Sequence, residues 1–87
     1  MTITEHLRSS TRPLALVTGA AGGIGVPLVS RLGAAGYHVL ALSRSGGEGE
    51  QPFITPLACD LTKPEQIEQS VALIASLGRP VQVLVHS

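Results

Sequence analysis

The sequence is short of several things, and each shortage excludes a class of function. It has one cysteine, Cys59, so no disulfide framework and no thiolate metal cluster can be assembled. That fits a reducing cytoplasm, the expected location. Aromatic residues make up 2% of the chain, Tyr37 and Phe53 alone, too few for a base-stacking platform or an aromatic cage. Neither sign of charge is in excess, with six Lys and Arg against six Asp and Glu. Binding to a phosphate backbone or an anionic membrane surface draws on surplus basic charge, so the expectation is no nucleic acid and no membrane among the partners. No apolar run reaches the about 20 residues of a spanning helix. The opening MTITEHLRSSTR has no apolar h-region of the secretory kind and reads as a flexible leader over residues 1–12.

What remains is an 87-residue chain that is 44% hydrophobic, one small domain or a piece of one. Leu14 to Thr18 is an apolar run without alternation, which predicts a strand buried on both faces. Pro13 suits its entry. After a glycine-rich turn, Ile24, Leu28, Leu32 and Ala35 recur at a spacing of about four, predicting a helix with one apolar stripe. Gly36 is its stop. Tyr37 to Leu42 reads as a second strand, residues 43–52 as a loop, and Phe53 to Ala58 as a third strand in which Pro56 suggests an edge or irregular position. A second helix is predicted to begin near Thr62, with Thr62 as N-cap, Pro64 in the first turn and Glu65 completing a capping box. Its stripe is Ile67, Val71, Ile74 and Leu77, and Gly78 ends it. Val81 to Val85 is the fourth strand. Strands alternating with helices imply right-handed crossovers and a parallel sheet. The expected fold is α/β, the first half of a Rossmann-like doubly wound sheet, β-α-β-β-α-β over residues 13–87 with strand order 3-2-1-4.

A strand that runs through flexible backbone into a helix N-terminus makes an anion site. Free N–H groups and the positive end of the helix dipole meet there, and glycine lets a phosphate come close. No Lys-Ser/Thr pair follows the glycines, so this is not a P-loop. The G-x-G-x-x-G fingerprint also fails in register. The pattern present is T-G-x-x-x-G-x-G, carried by Thr18, Gly19, Gly23 and Gly25.

With TGAAGGIG at residues 18–25, Asp60-Leu61-Thr62 after the third strand and VQVLVHS at the fourth, the chain resembles the N-terminal part of a classical short-chain dehydrogenase/reductase. The resemblance implies cofactor contacts from Thr18, Gly19, Ala21, Gly22, Gly23, Ile24 and Gly25. It places Asp60 and Leu61 at the adenine. His86 falls at the carboxyl end of the fourth strand, where α/β sheets carry their ligand sites, and is expected to line the nicotinamide-ribose region. Two departures stand out. His86-Ser87 replace the family's Asn-Asn. Gly19, Gly22 and Gly25 also fit T-G-x-x-G-x-x-G, the pattern of the extended branch of epimerases and dehydratases, where a His often follows the fourth strand.

The tip of the second strand reads Ala41-Leu42-Ser43-Arg44-Ser45. A carboxylate there would bind the ribose 2′-hydroxyl and favour NAD. None stands at the tip, while Arg44 can pair with a 2′-phosphate and Ser43 and Ser45 can add hydrogen bonds. The expected cofactor is therefore NADP(H) in preference to NAD. Glu48 and Glu50, in the same loop, are the competing partners of Arg44, and a solvated loop arginine is the plain alternative. Asp60 has a plain alternative too, as a turn residue. His38 reads as structural, His6 lies in the leader, and Cys59 reads as a small buried hydrophobe.

No zinc-ligand spacing, paired carboxylates or Ser-His-Asp set is present, so no catalytic or metal-binding residue is assigned. The resemblance implies hydride transfer between the nicotinamide and a small carbonyl or alcohol substrate, with a Tyr-x-x-x-Lys pair and a Ser performing the acid-base work. Tyr37 is followed four residues on by Ala41, so that motif is absent. The expectation is that the chain is a fragment, inactive alone, of a longer enzyme that forms homo-oligomers. A non-catalytic dinucleotide-binding or interaction module is the competing expectation.

Overall fold

A computed structural model of the chain describes residues 11–46 and 51–86. The leader up to residue 10 with His6, the loop residues Glu48 and Glu50, and Ser87 lie outside the described residues. The elements are β1 (Leu14–Thr18), α1 (Gly25–Ala34), β2 (His38–Ser43), β3 (Ile54–Ala58), α2 (Pro64–Ser76) and β4 (Val81–His86). The four strands form one parallel sheet in the order β3-β2-β1-β4, the expected half of a doubly wound fold.

The central strands β1 and β2 explain their own composition. On one face Ala15, Val17, Val39 and Ala41 pack with Val29 of α1. On the other, Leu14, Leu40 and Leu42 pack with Cys59 and with Leu77 at the end of α2. With apolar contact on both sides, alternation would be penalised, and the runs LALV and VLAL are the result. Cys59 is buried and free, as a small hydrophobe would be. His38 is fully buried at the start of β2, and its Nε2 lies 2.8 Å from the Thr55 hydroxyl of the neighbouring strand.

Several boundaries and faces differ from the sequence reading. The buried face of α1 is Gly25 and Val29, flanked by half-buried Leu28 and Leu32, while Ile24 and Ala35 are exposed. Glycine carries no apolar signal, yet its missing side chain is what lets the helix start press on the sheet. That shifts the buried stripe around the axis by one residue. Phe53 is not in β3. Gln51 to Ile54 form a turn closed by the Ile54 amide on the Gln51 carbonyl at 3.2 Å, with Pro52 second and Phe53 third at φ 67°. Proline second and a left-handed third residue is the type II arrangement.

Thr62 does not cap α2. Lys63 holds that position without a side-chain bond, and the Thr62 hydroxyl instead donates to Asp60 Oδ1 at 2.7 Å. Nor does α2 bury the stripe expected of it. No residue within it is buried, and both Ile67 and Val71 are exposed; Ile74 packs on the core together with Leu77 just beyond the helix. Among the described residues, no helix is long and apolar enough to cross a membrane.

Candidate functional site

The chemistry-bearing residues gather at the carboxyl ends of the strands, where open α/β sheets place their ligand sites. β1 ends at Thr18. Gly19 takes φ 65° and turns the chain out of the sheet, a conformation that costs glycine little. The Gly22 amide closes on the Gly19 carbonyl at 3.1 Å, and the Val26 amide on the Gly22 carbonyl at 3.1 Å. The Ala20 amide reaches across to the Leu42 carbonyl at 3.0 Å, tying the glycine turn to the tip of β2.

The two last glycines of the motif do different work. A Cβ on Gly25 would stand 2.4 Å from the Gly19 carbonyl oxygen and 2.8 Å from the Ala20 Cα. The helix start therefore lies against the turn with no room for a side chain. A Cβ on Gly23 would meet nothing within 4 Å, so its backbone faces open space. The Gly22 amide is taken by Gly19, and the amides between it and Val26, ahead of the helix's first i→i−4 bond, lack helical partners and suit an anion. No acidic residue stands in the first turn of α1, and Arg31 occupies the last. The first feature suits a negative ligand at the N-terminus, and the second complements the negative end of the helix dipole.

At the tip of β2, Ser43 to Gly46 form a second tight turn. The Gly46 amide donates to the Ser43 carbonyl at 3.3 Å and to its Oγ at 3.1 Å. Gly46 has φ 79°, and a Cβ there would lie 3.2 Å from that of Ala58. The Cys59 amide donates to the Ser43 carbonyl at 2.8 Å, which joins this turn to the end of β3. Arg44 and Ser45 are left exposed on the outside. The sequence reading missed Gly46, although Ser at the first position and Gly at the fourth is a β-turn signature. It also missed Ala20, whose role lies in its backbone.

Past β3, Asp60 accepts from the Thr62 amide at 2.9 Å and the Thr62 hydroxyl at 2.7 Å, while its own amide donates to Gln66 Oε1 at 2.8 Å. Both Thr62 bonds favour the charged carboxylate and, with the positive charges of Lys63 and Arg44, hold Asp60 below the ordinary aspartate range against a partial desolvation. Arg44 and Asp60 are thus close enough to feel one another, and they flank the space beyond β2 and β3. Leu61 is exposed beside Asp60.

On the other side of Gly19, the His86 Nδ1 lies 2.6 Å from the Thr18 hydroxyl. The expected residues therefore fall into three groups along one edge of the sheet: the glycine corner at 18–25, the pair of tips at 43–46 and 60–61, and His86. Ile24, 75% exposed, is the odd member, because its side chain faces solvent while its backbone opens the helix. Between the glycine corner and the β2 tip lies a cleft of about 380 Å³. Among the described residues its lining includes Ala20, Ala21, Val29, Ser43, Gly46 and Ile54.

Comparison with known proteins gives a consistent result. The profile of the family described as short chain dehydrogenase matches residues 13–87. L-xylulose reductase of Mesocricetus auratus is 41% identical over 78 residues, covering 84% of this chain and 30% of that protein. The 3-oxoacyl-acyl-carrier-protein reductase MabA of Mycobacterium tuberculosis is 33% identical over 72 residues, covering 83% and 28%. A short chain dehydrogenase of Leptospira borgpetersenii, whose crystal structure holds NAD+, superposes with a TM-score of 0.77 at 18% identity over 99% of this chain and 35% of that one. At that identity the superposition speaks for the fold. The chain spans about a third of the length of these proteins.

Proposed function

The chain belongs to the short-chain dehydrogenase family, and on that premise we propose that residues 13–87 are the N-terminal, NADP(H)-binding part of an oxidoreductase acting on a small carbonyl or alcohol substrate. The observation that carries this reading is the glycine corner. Gly25 has no room for a side chain, Gly23 opens onto free space, and the helix start behind them carries no carboxylate. A diphosphate fits such a corner because the backbone amides supply hydrogen bonds and the dipole supplies partial charge. When bound, the nicotinamide supplies the hydride chemistry.

The chain's own residues bind and orient. Gly19 to Gly25 hold the diphosphate. Asp60 and Leu61 meet the adenine, and His86 meets the nicotinamide ribose. Arg44 and Ser45, on the turn fixed by Ser43 and Gly46, face the adenosine ribose. The choice of NADP(H) over NAD rests on Arg44, which stands exposed where a carboxylate would have selected the free 2′-hydroxyl. A guanidinium-phosphate contact is worth about 1.5–3 kcal/mol, or about 10- to 100-fold in affinity. The Tyr-x-x-x-Lys pair that would move the proton is not among these 87 residues. The segment therefore serves binding, and a homo-oligomeric cytoplasmic enzyme of greater length is the whole to which it corresponds.

Titration of the chain with NADPH and NADH, followed by nucleotide fluorescence, tests this. Saturable binding that favours NADPH is expected, with Arg44→Ala weakening NADPH by about 10- to 100-fold and NADH little. Equal losses for the two cofactors would remove the NADP assignment, and no binding of either would remove the dinucleotide site.

A further inference from the structure

We infer that the Ser43 hydroxyl is a positioning group and not a phosphate contact: with Ala58 of β3 behind it, it locks the turn from Ser43 to Gly46 and so sets where the Arg44 guanidinium stands. The inference deepens the NADP(H) reading above and rests on it. It gives a share of cofactor choice to β3, a strand of five uncharged residues. Consecutive carbonyls at the end of β2 are stapled to different neighbours. Leu42 accepts the Ala20 amide of the glycine corner at 3.0 Å, and Ser43 accepts the Cys59 amide just past β3 at 2.8 Å. The root of the turn is thereby held from both sides.

One donor closes the turn twice. The Gly46 amide reaches the Ser43 carbonyl at 3.3 Å and the Ser43 Oγ at 3.1 Å. The carbonyl bond is the longer of the two, and its acceptor is shared with Cys59. The hydroxyl therefore supplies the shorter half of the closure. An amide N–H donates and cannot accept, so the Oγ is committed to the turn's own backbone. Behind the turn there is no slack. A Cβ at residue 46 would stand 3.2 Å from the Ala58 Cβ and 3.3 Å from the Ala58 amide nitrogen. Arg44 and Ser45 are the two central residues and stand exposed, so their aim is inherited from the closure. An arginine on an open loop would surrender backbone freedom on meeting a phosphate, whereas a closed turn has surrendered it beforehand. NADH lacks the 2′-phosphate and gains nothing from that closure.

The test measures NADPH and NADH affinities of the full chain by nucleotide fluorescence and follows exchange of the Gly46 amide in the ligand-free chain. Ser43→Ala should speed that exchange and weaken NADPH, each by about 3- to 10-fold, with NADH changed by less than about twofold. Ser43→Thr, which keeps the hydroxyl, should restore both. Combining Ser43→Ala with Arg44→Ala separates positioning from contact, because in the Arg44→Ala background the Ser43 change should cost NADPH nothing further. Ala58→Gly, which removes the wall behind the turn at an exposed position, should weaken NADPH more than NADH and covers the case in which Ser43→Ala does not fold. A loss that persists in the Arg44→Ala background makes Ser43 a phosphate contact and overturns the inference. Unchanged Gly46 exchange in Ser43→Ala, or equal losses for the two dinucleotides, also overturns it while sparing a native preference for NADPH. Absence of that preference in the native chain overturns the NADP(H) reading and this inference with it.

Discussion

The first βαβ unit and the α2–β4 segment are built from the same kinds of element, yet they bury very different shares of themselves. In the first unit, β1 and β2 are covered on both faces, and α1 sits down through Gly25 and Val29. In the second, α2 buries no residue of its own, and Leu84 on β4 is 67% exposed. β4 alternates between half-buried and exposed positions, with Val83 and Val85 packed toward α1. The ligand-facing corner therefore draws its rigidity from the first unit. It does not wait on the second for its shape, because the bond from Ala20 to Leu42 and the close fit of Gly25 both lie between residues 19 and 42.

This contrast can be broken by mutation. The largest effect should come from Leu40→Ala, at a fully buried site in β2, with a loss of about 2–5 kcal/mol measured by urea denaturation. Val71→Ala, on the exposed side of α2, should change stability by no more than about 0.5 kcal/mol. Comparable losses at the two sites would show that the halves are equally packed. Next comes Gly25→Ala, whose new methyl must displace backbone at Gly19 and Ala20. A thermal melt should register about 1–3 kcal/mol of destabilisation, and nucleotide titration should show binding largely lost. Gly23→Ala, with open space at the same distance, should leave the melt nearly unchanged, so that any loss it shows belongs to the ligand.

The smallest effect concerns acid. Thr62 holds the Asp60 carboxyl below its ordinary value. A folded-state value below the unfolded one stabilises the fold above the ordinary carboxylate range, and the contribution fades as pH falls through the lowered value. Thr62→Val should therefore lower stability slightly at pH about 7, and the loss should shrink at a strongly acid pH, as the lowered value is passed. Paired urea melts at the two pH values check this, and an equal loss at both would assign the effect to something other than ionisation.

Much of this was legible in the amino-acid order. The unbroken apolar runs of β1 and β2 announced a doubly covered parallel sheet, and of the edge or irregular position that Pro56 suggested, β3 takes the edge. The glycines at 19, 23 and 25 marked a corner that the backbone does form. The phase of α1 was not legible, because periodicity weighs side chains and the decisive residue has none. Ile24 looked like the start of the stripe and is the most exposed of the large apolar residues described. The cap of α2 failed for a different reason. Asp60 and Thr62 both read as local hydrogen-bonding residues, and sequence alone does not say which will capture the other. In the fold, Asp60 takes the Thr62 hydroxyl before it can reach the helix.

Arg12 adds a practical consequence at the opposite end of the sheet. Its guanidinium donates to the carbonyls of Gly33 at 2.9 Å and Tyr37 at 3.2 Å and lies 3.4 Å from the centre of the Phe53 ring. One side chain thus rivets the tail of α1, the threshold of β2 and the approach to β3. The stretch matched by the family begins at Pro13, one position too late to include it. Anyone trimming this polypeptide to that border would pull the rivet, and should cut upstream of Arg12 instead.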